Sequence, residues 1–195
     1  MFTNNTDLDK RVKRTKNALE SALLSLMENT NFKDITITDI VKKADYNRGT
    51  FYKHYKYKED LLDEILEEVI VDLVKSYKEP YSHSKTLDIR NLNSSAIKIF
   101  DHVWAHQNLY KLVIKANALP GFQQRITGEL KALLIEDVLD ARLDSAVNYH
   151  IFASYQSYAI LGMIIEWVDG NFKYSASYMA EQLVEILKMK PYHEN

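Results

Sequence analysis

The chain has no cysteine, and only three prolines and five glycines among its 195 residues. Without cysteine there is no disulfide and no thiolate metal ligand, and a reducing cytoplasm is the natural setting. So few helix breakers, with no long Ser- or Gly-rich stretch, favour an all-helical fold. Residues 1–14 are polar and charged and lack the apolar core of a secretory signal. The most apolar run, residues 151–168, contains Gln156 and Glu166, so it reads as a buried helix and not as a membrane span. No Gly-rich phosphate loop, Gly-x-Ser-x-Gly or His-Glu-x-x-His is found, and no catalytic constellation replaces them. The expectation is a non-enzyme without a cofactor and without a membrane partner.

What is present is an uneven charge. The net charge of −2 conceals a basic front: residues 9–58 hold twelve Lys or Arg against six Asp or Glu, leaving the remainder at −8. A basic quarter on an acidic body suits a protein that meets a polyanion at one end, although a solvated basic helix has the same composition.

Residues 1–8 read as a disordered tip and 9–29 as a long amphipathic helix, with Val12, Leu19, Leu23, Leu26 and Met27 on one stripe. Lys10, Arg11, Lys13, Arg14 and Lys16 crowd its start, where cations oppose the helix dipole unless a phosphate backbone offsets them. A short helix follows over 36–44, opened by a capping box of Thr36 and Asp39. Asp45-Tyr46 is a tight break. Asn47 then caps a third helix reaching about residue 55. A fourth begins near Lys58. Residues 79–94 read as a connector, and 95–106, 109–117, 122–140, 145–168 and 175–188 as helices of a C-terminal body, the last capped by Ser175. The architecture predicted is all-α, about nine helices, with a three-helix unit over 1–57 and a regulatory body over 58–195.

Two short helices joined by a tight turn, the second basic and aromatic, match the helix-turn-helix that reads DNA. A helix entering the major groove needs donors and stacking groups on its outer face; Arg48, Thr50, Tyr52, Lys53 and His54 supply them, while Phe51 and Tyr55 face inward with Ile40 and Ala44. Gly49 permits close backbone approach. Arg48 and Lys53 are the candidate base readers; Thr36, Thr50, Tyr52, His54 and Lys58 are candidate phosphate anchors, Lys58 at a helix N-terminus. The stretch from Thr36 to Leu62 resembles the TetR family of bacterial regulators, whose pattern is a capped helix, a turn, a Thr-(Leu/Phe)-Tyr-x-His/Tyr-Phe core and then Lys-x-x-Leu. Asp45 and Asn31 stand where the family usually has Gly, and both residue types tolerate positive φ. Gly162-Met-Ile-Ile-Glu-Trp167, Gly170 and residues 175–187 resemble the C-terminal type found in Firmicutes.

The resemblance implies a homodimer whose last two helices pack against the partner's pair. It also implies a palindromic double-stranded DNA operator and a small-molecule effector, of unknown identity, that changes the spacing of two reading heads. Tyr158, Gly162, Ile165, Met179, Leu183 and Ile186 are then the candidate dimer residues, although the same apolar run suits the central helix of a single-chain bundle. Trp104, Tyr110, Phe122, Tyr149, Phe152 and Tyr155 are candidate ligand contacts or ordinary core aromatics. His102 and His106, four apart, have the spacing of two metal ligands; two do not make a site unless His83 or His150 folds nearby, and no metal is assigned. A protein-interaction or coactivator module of the same fold, with weak or no DNA binding, is the rival reading.

Overall fold

Nine α-helices and no strand make up the described residues of the computed structural model, which are 5–79, 94, 97–115, 121–140 and 147–189. The chain divides into two compact units, Met1–Glu68 and Val69–Asn195. The division falls inside the fourth helix. Most of the predicted connector, and His83 with it, lies outside the described residues.

In the first unit, α1 runs Asn5–Met27, α2 Ile37–Lys43 and α3 Arg48–Tyr52, and α4 (Lys58–Lys78) begins there. α1 starts earlier than the expected residue 9. Its basic residues therefore sit beyond the first turn, where they oppose the dipole less than the sequence suggested. Thr15, Leu19, Ala22, Leu23 and Met27 form the buried stripe, with Val12 and Leu26 at its half-buried margins. They meet Ile40, Val41, Phe51, Tyr55, Leu61, Leu62, Ile65 and Leu66 in one apolar core. A single turn of 3-10 helix, Phe32–Asp34, links α1 to α2. Asn31 before it has φ −59°, so the left-handed tolerance expected of that position is not used.

In the second unit, α5 (Ile99–Ala105), α6 (Gln107–Lys115), α7 (Phe122–Asp140), α8 (Tyr149–Asp169) and α9 (Ala176–Lys188) follow the end of α4. α8 is the central element: α6 and α7 both pack on it, and α5 packs on α9. α5 is shorter than the predicted 95–106. α8 starts at Tyr149 because the Asn148 side chain accepts the backbone N–H groups of His150 and Ile151, a cap the sequence reading missed. Ser175 caps α9 as predicted, accepting the N–H of Tyr178.

Trp167 anchors the join between α8 and α9. It is fully buried, and Phe100, Trp104 and Phe172 surround it at ring-centroid distances of 5.8, 6.2 and 4.9 Å. Its indole N–H donates to the Tyr174 carbonyl at 3.0 Å. Asn171 and Phe172 both take positive φ, 55° and 56°, to close α8. A phenylalanine there is strained, and its edge-on packing against Trp167 offsets the strain. Trp167→Ala should therefore lower the unfolding free energy by about 3–5 kcal/mol, as read by denaturant titration; a loss no larger than that of an exposed substitution would show that the cluster does not anchor this join.

Candidate nucleic-acid interface

The geometry of the reading helix is set by its caps. Thr36 Oγ1 accepts the Asp39 N–H at 3.2 Å, and the Asp39 carboxylate accepts the Thr36 N–H at 2.9 Å and the Thr36 hydroxyl at 2.6 Å. The shorter Asp thus completes a capping box usually made with Glu. These bonds hold the Asp39 carboxyl below its ordinary pKa. The break after α2 is a single left-handed residue, Asp45, with φ 59°, as its residue type predicted. The N–H of Tyr46 then returns to the Val41 carbonyl at 2.8 Å, closing the turn. Asn47 Oδ1 caps α3 by accepting the N–H and the hydroxyl of Thr50, at 2.9 and 3.2 Å. A Cβ at residue 49 would stand 3.2 Å from that same oxygen, so Gly49 keeps the cap uncrowded.

α3 is held by Phe51, fully buried, with the Tyr55 ring 5.5 Å away. Burial and the Glu64 carboxylate push the Tyr55 phenol upward, so it stays neutral. Lys16 bonds both oxygens of the Glu64 carboxylate, at 2.7 and 3.0 Å, and lies 5.5 Å from the Tyr55 ring, tying α1 to α4. The opposite face of α3 is free. Arg48 and Tyr52 are exposed and linked by a 3.1 Å hydrogen bond from the guanidinium to the phenol oxygen. Lys53 is exposed beside them, and His54 and Thr50 are half-buried. Lys10, Arg11, Lys13 and Arg14 of α1 are also exposed.

The expected anchors divide by what else they do. Thr36 and Thr50 use their hydroxyls in helix caps. Lys58 does not reach outward: its ammonium donates to the carbonyls of Phe32, Lys33 and Ile35 at 2.6, 3.0 and 2.7 Å and sits over the Phe32 ring. Asp60 takes the N–H groups of Lys56 and Tyr57 at 2.9 and 2.8 Å. The start of α4 is thus supplied with an internal carboxylate, which no reading of the sequence had assigned.

The other candidate residues are dispersed. Tyr110 and Phe122 are buried against each other with rings 6.3 Å apart, Trp104 stacks half-exposed on Trp167, Phe152 is half-buried, and Tyr149 and Tyr155 are exposed on α8. These six do not form one wall, because α6 and α7 carry Tyr110 and Phe122 inward while α8 carries Tyr149 and Tyr155 outward. Of the dimer set, Met179 and Leu183 are buried in the chain's own core; Tyr158, Gly162 and Ile186 are exposed, and Ile165 is half-buried. Among the described residues, His102 and His106 meet a third ligating group, Asp72 of α4, and not His150; His83 lies outside the described residues.

Because its ammonium satisfies three carbonyls at once, Lys58→Met should lower stability by about 1–3 kcal/mol and loosen the 3-10 turn, seen as faster amide exchange at residues 34–36. A variant as stable as the parent would remove the anchoring role given to Lys58.

Comparison with known proteins agrees with this geometry. Residues 21–65 match "Bacterial regulatory proteins, tetR family", and residues 90–189 match "Transcriptional regulator C-terminal region" of the same family. The chain is 23% identical over 186 residues to the uncharacterized HTH-type transcriptional regulator YxbF of Bacillus subtilis; the alignment covers 95% of this chain and 47% of that protein, so the chain spans about half its relative's length. Among solved structures, a TetR-family regulator of Syntrophomonas wolfei superposes with a TM-score of 0.68 at 18% identity, covering 90% of this chain and 94% of that one. FadR of Bacillus subtilis, solved with stearoyl-CoA, superposes at 0.61 and 18% identity, covering 90% and 96%. With both of its regions matched, one over half the chain, this protein belongs to the TetR family of bacterial transcriptional regulators.

Proposed function

We propose that the chain is a cytoplasmic repressor that binds a palindromic operator as a homodimer and releases it when an effector binds the second unit. The observation that carries the DNA reading is the outward face of α3. Arg48, Tyr52 and Lys53 are exposed together on a helix whose opposite face is buried and whose start is capped by Asn47. A guanidinium and an ammonium, pre-aligned on a rigid helix, suit guanine edges in the major groove. The Arg48–Tyr52 bond holds the guanidinium at the helix surface. Thr50 and His54 flank this pair as phosphate contacts, and the exposed cations of α1 add sequence-independent attraction.

Dimerisation is supported by α8. Ile151, Tyr155, Tyr158, Ala159 and Gly162 recur along one exposed stripe at helical spacing. Tyr178, Ile186 and Met189 are exposed on α9. A Cβ at Gly162 would meet nothing within 4 Å. Among the described residues no neighbour requires a glycine there, whereas a second helix crossing close to α8 would. Met179 and Leu183 then support the interface from beneath. FadR of Bacillus subtilis binds stearoyl-CoA; by analogy the effector here is a small molecule entering the C-terminal helices, with Tyr110, Phe122 and Phe152 as its aromatic contacts.

Two measurements test the reading. Arg48→Ala and Lys53→Ala should each weaken operator binding by about 1–3 kcal/mol, with the chain's affinity for duplex DNA falling steeply with salt. Salt-insensitive or absent binding of the unaltered chain would favour the interaction-module reading. Separately, Gly162→Gln should leave helicity intact, since most residues exceed glycine in helix propensity, yet shift sedimentation from dimer to monomer. A variant that remains dimeric would remove Gly162 from the interface.

A further inference from the structure

Asp72 of α4, His102 of α5 and His106, the residue that caps the end of α5, bring one ligand atom each to within 4.8 Å of one another. Asp72 Oδ2 lies 2.8 Å from His102 Nδ1 and 3.1 Å from His106 Nε2. The two imidazoles stand one helical turn apart, their ring centroids 4.7 Å apart and their planes inclined at 44°. A tetrahedral ion with bonds of about 2.0–2.1 Å holds its ligand atoms roughly 3.3 Å from one another. The two histidine–Asp72 distances therefore need to lengthen by only a few tenths of an ångström, and the two imidazole nitrogens, already within 4.8 Å of each other, need to settle to the same spacing.

We propose that Asp72, His102 and His106 form a binding site for a divalent transition-metal ion, zinc first among them, with at least one coordination position left open. Two imidazole nitrogens and one carboxylate oxygen suit zinc, cobalt and nickel; they are too few and too nitrogen-rich for calcium or magnesium, which take oxygen shells. Both imidazoles bond the Asp72 carboxyl and hold it below its ordinary pKa, so it is a carboxylate at neutral pH. Burial lowers the His102 imidazole to about 4, so that ring is neutral and carries a lone pair.

The surroundings fit the same reading. The His102 side chain is fully buried, whereas those of Asp72 and His106 are 44% and 33% exposed. An ion would enter over those two and keep water or a small anion on its open side. His102 Nε2 lies 3.2 Å from the buried Tyr110 hydroxyl. When Nδ1 turns to the metal, the ring proton moves to Nε2 and donates to the Tyr110 oxygen, the outer hydrogen bond that metal-bound histidines commonly make. On His106 the proton moves from Nε2 to Nδ1. No proton is released, and two N–H···O bonds are exchanged for three bonds to the ion. An occupied site would clamp the second half of α4 to the end of α5. This inference does not rest on the DNA reading.

The test uses the full chain, stripped with a chelator, dialysed, and titrated with zinc chloride in excess magnesium by calorimetry. One equivalent should bind, and two of the six histidine imidazoles should shift in the NMR spectrum of the unaltered chain as it does so. Cobalt in place of zinc should give the visible bands of a low-coordinate nitrogen–oxygen site. Tyr110→Phe should weaken zinc binding by about tenfold, and Asp72→Asn or His106→Gln by more, while His150→Ala leaves it unchanged. Absence of one-equivalent binding to the unaltered chain overturns the proposal. So does binding that moves no imidazole pair, or that survives in folded Asp72→Asn and His106→Gln chains.

Discussion

The reading face of the first unit depends on one backbone constraint, the left-handed turn at Asp45. A single residue at φ 59°, closed by the Tyr46–Val41 backbone bond, redirects the chain between α2 and α3. With only five helical residues, α3 cannot hold its own direction through backbone bonding, because so short a helix barely exceeds its nucleation cost. Its orientation comes from three outside restraints: the Asp45 turn, the Asn47 cap and the Phe51 ring sunk into the core. Loss of any one would leave Arg48 and Lys53 on a helix without a fixed aim. The nearby cost is small, because Asp adopts this conformation more readily than most side chains.

The same economy explains which polar residues of the first unit face solvent. Thr36, Asp39, Asn47, Asp60 and Lys58 all have hydrogen-bonding side chains, and all are engaged by the backbone at a helix end or turn. Short helices expose a large share of unpaired N–H and C=O groups, so many of their polar residues are needed for capping. What is left over on α3 is Arg48, Tyr52 and Lys53. Together with the outer cations of α1, they form an exposed basic surface. Arg48 pairs with a neutral phenol, not with a carboxylate.

Much of this was legible in the sequence because it is local. Capping boxes, turn residues and apolar stripes relate residues three or four apart, and α2, α3, the Asp45 turn and the Ser175 cap all follow from such spacing. The carbonyl partners of Lys58 were not legible for the opposite reason: they belong to Phe32, Lys33 and Ile35, more than twenty positions earlier, and no local pattern announces them. The same holds for Asp72. It lies among Val69, Ile70 and Leu73 on an apolar stretch of α4, and its histidine partners are thirty and more residues away. The aromatic residues of the second unit were illegible for another reason. Tyr110 and Tyr155 are the same residue type in equally apolar surroundings, yet one is buried and the other exposed; only the packing of α6 and α7 on α8 decides between them.

α8 shows how far composition can mislead. By length and composition it is apolar enough to cross a membrane. Its apolar residues nevertheless divide between two faces with different neighbours. Ala153, Ser157, Ile160, Leu161, Ile164, Trp167 and Val168 are buried within the chain. Ile151, Tyr155 and Tyr158 lie outside that core, with exposures of 68, 69 and 62%. A membrane would require an apolar surface all round and no polar group without a partner. The outer stripe of α8 instead alternates large side chains with Ala159 and Gly162, the relief that a second helix needs to pack closely. In the proposed dimer, the two apolar faces of α8 are accounted for by two protein surfaces, one within the chain and one across a two-fold axis.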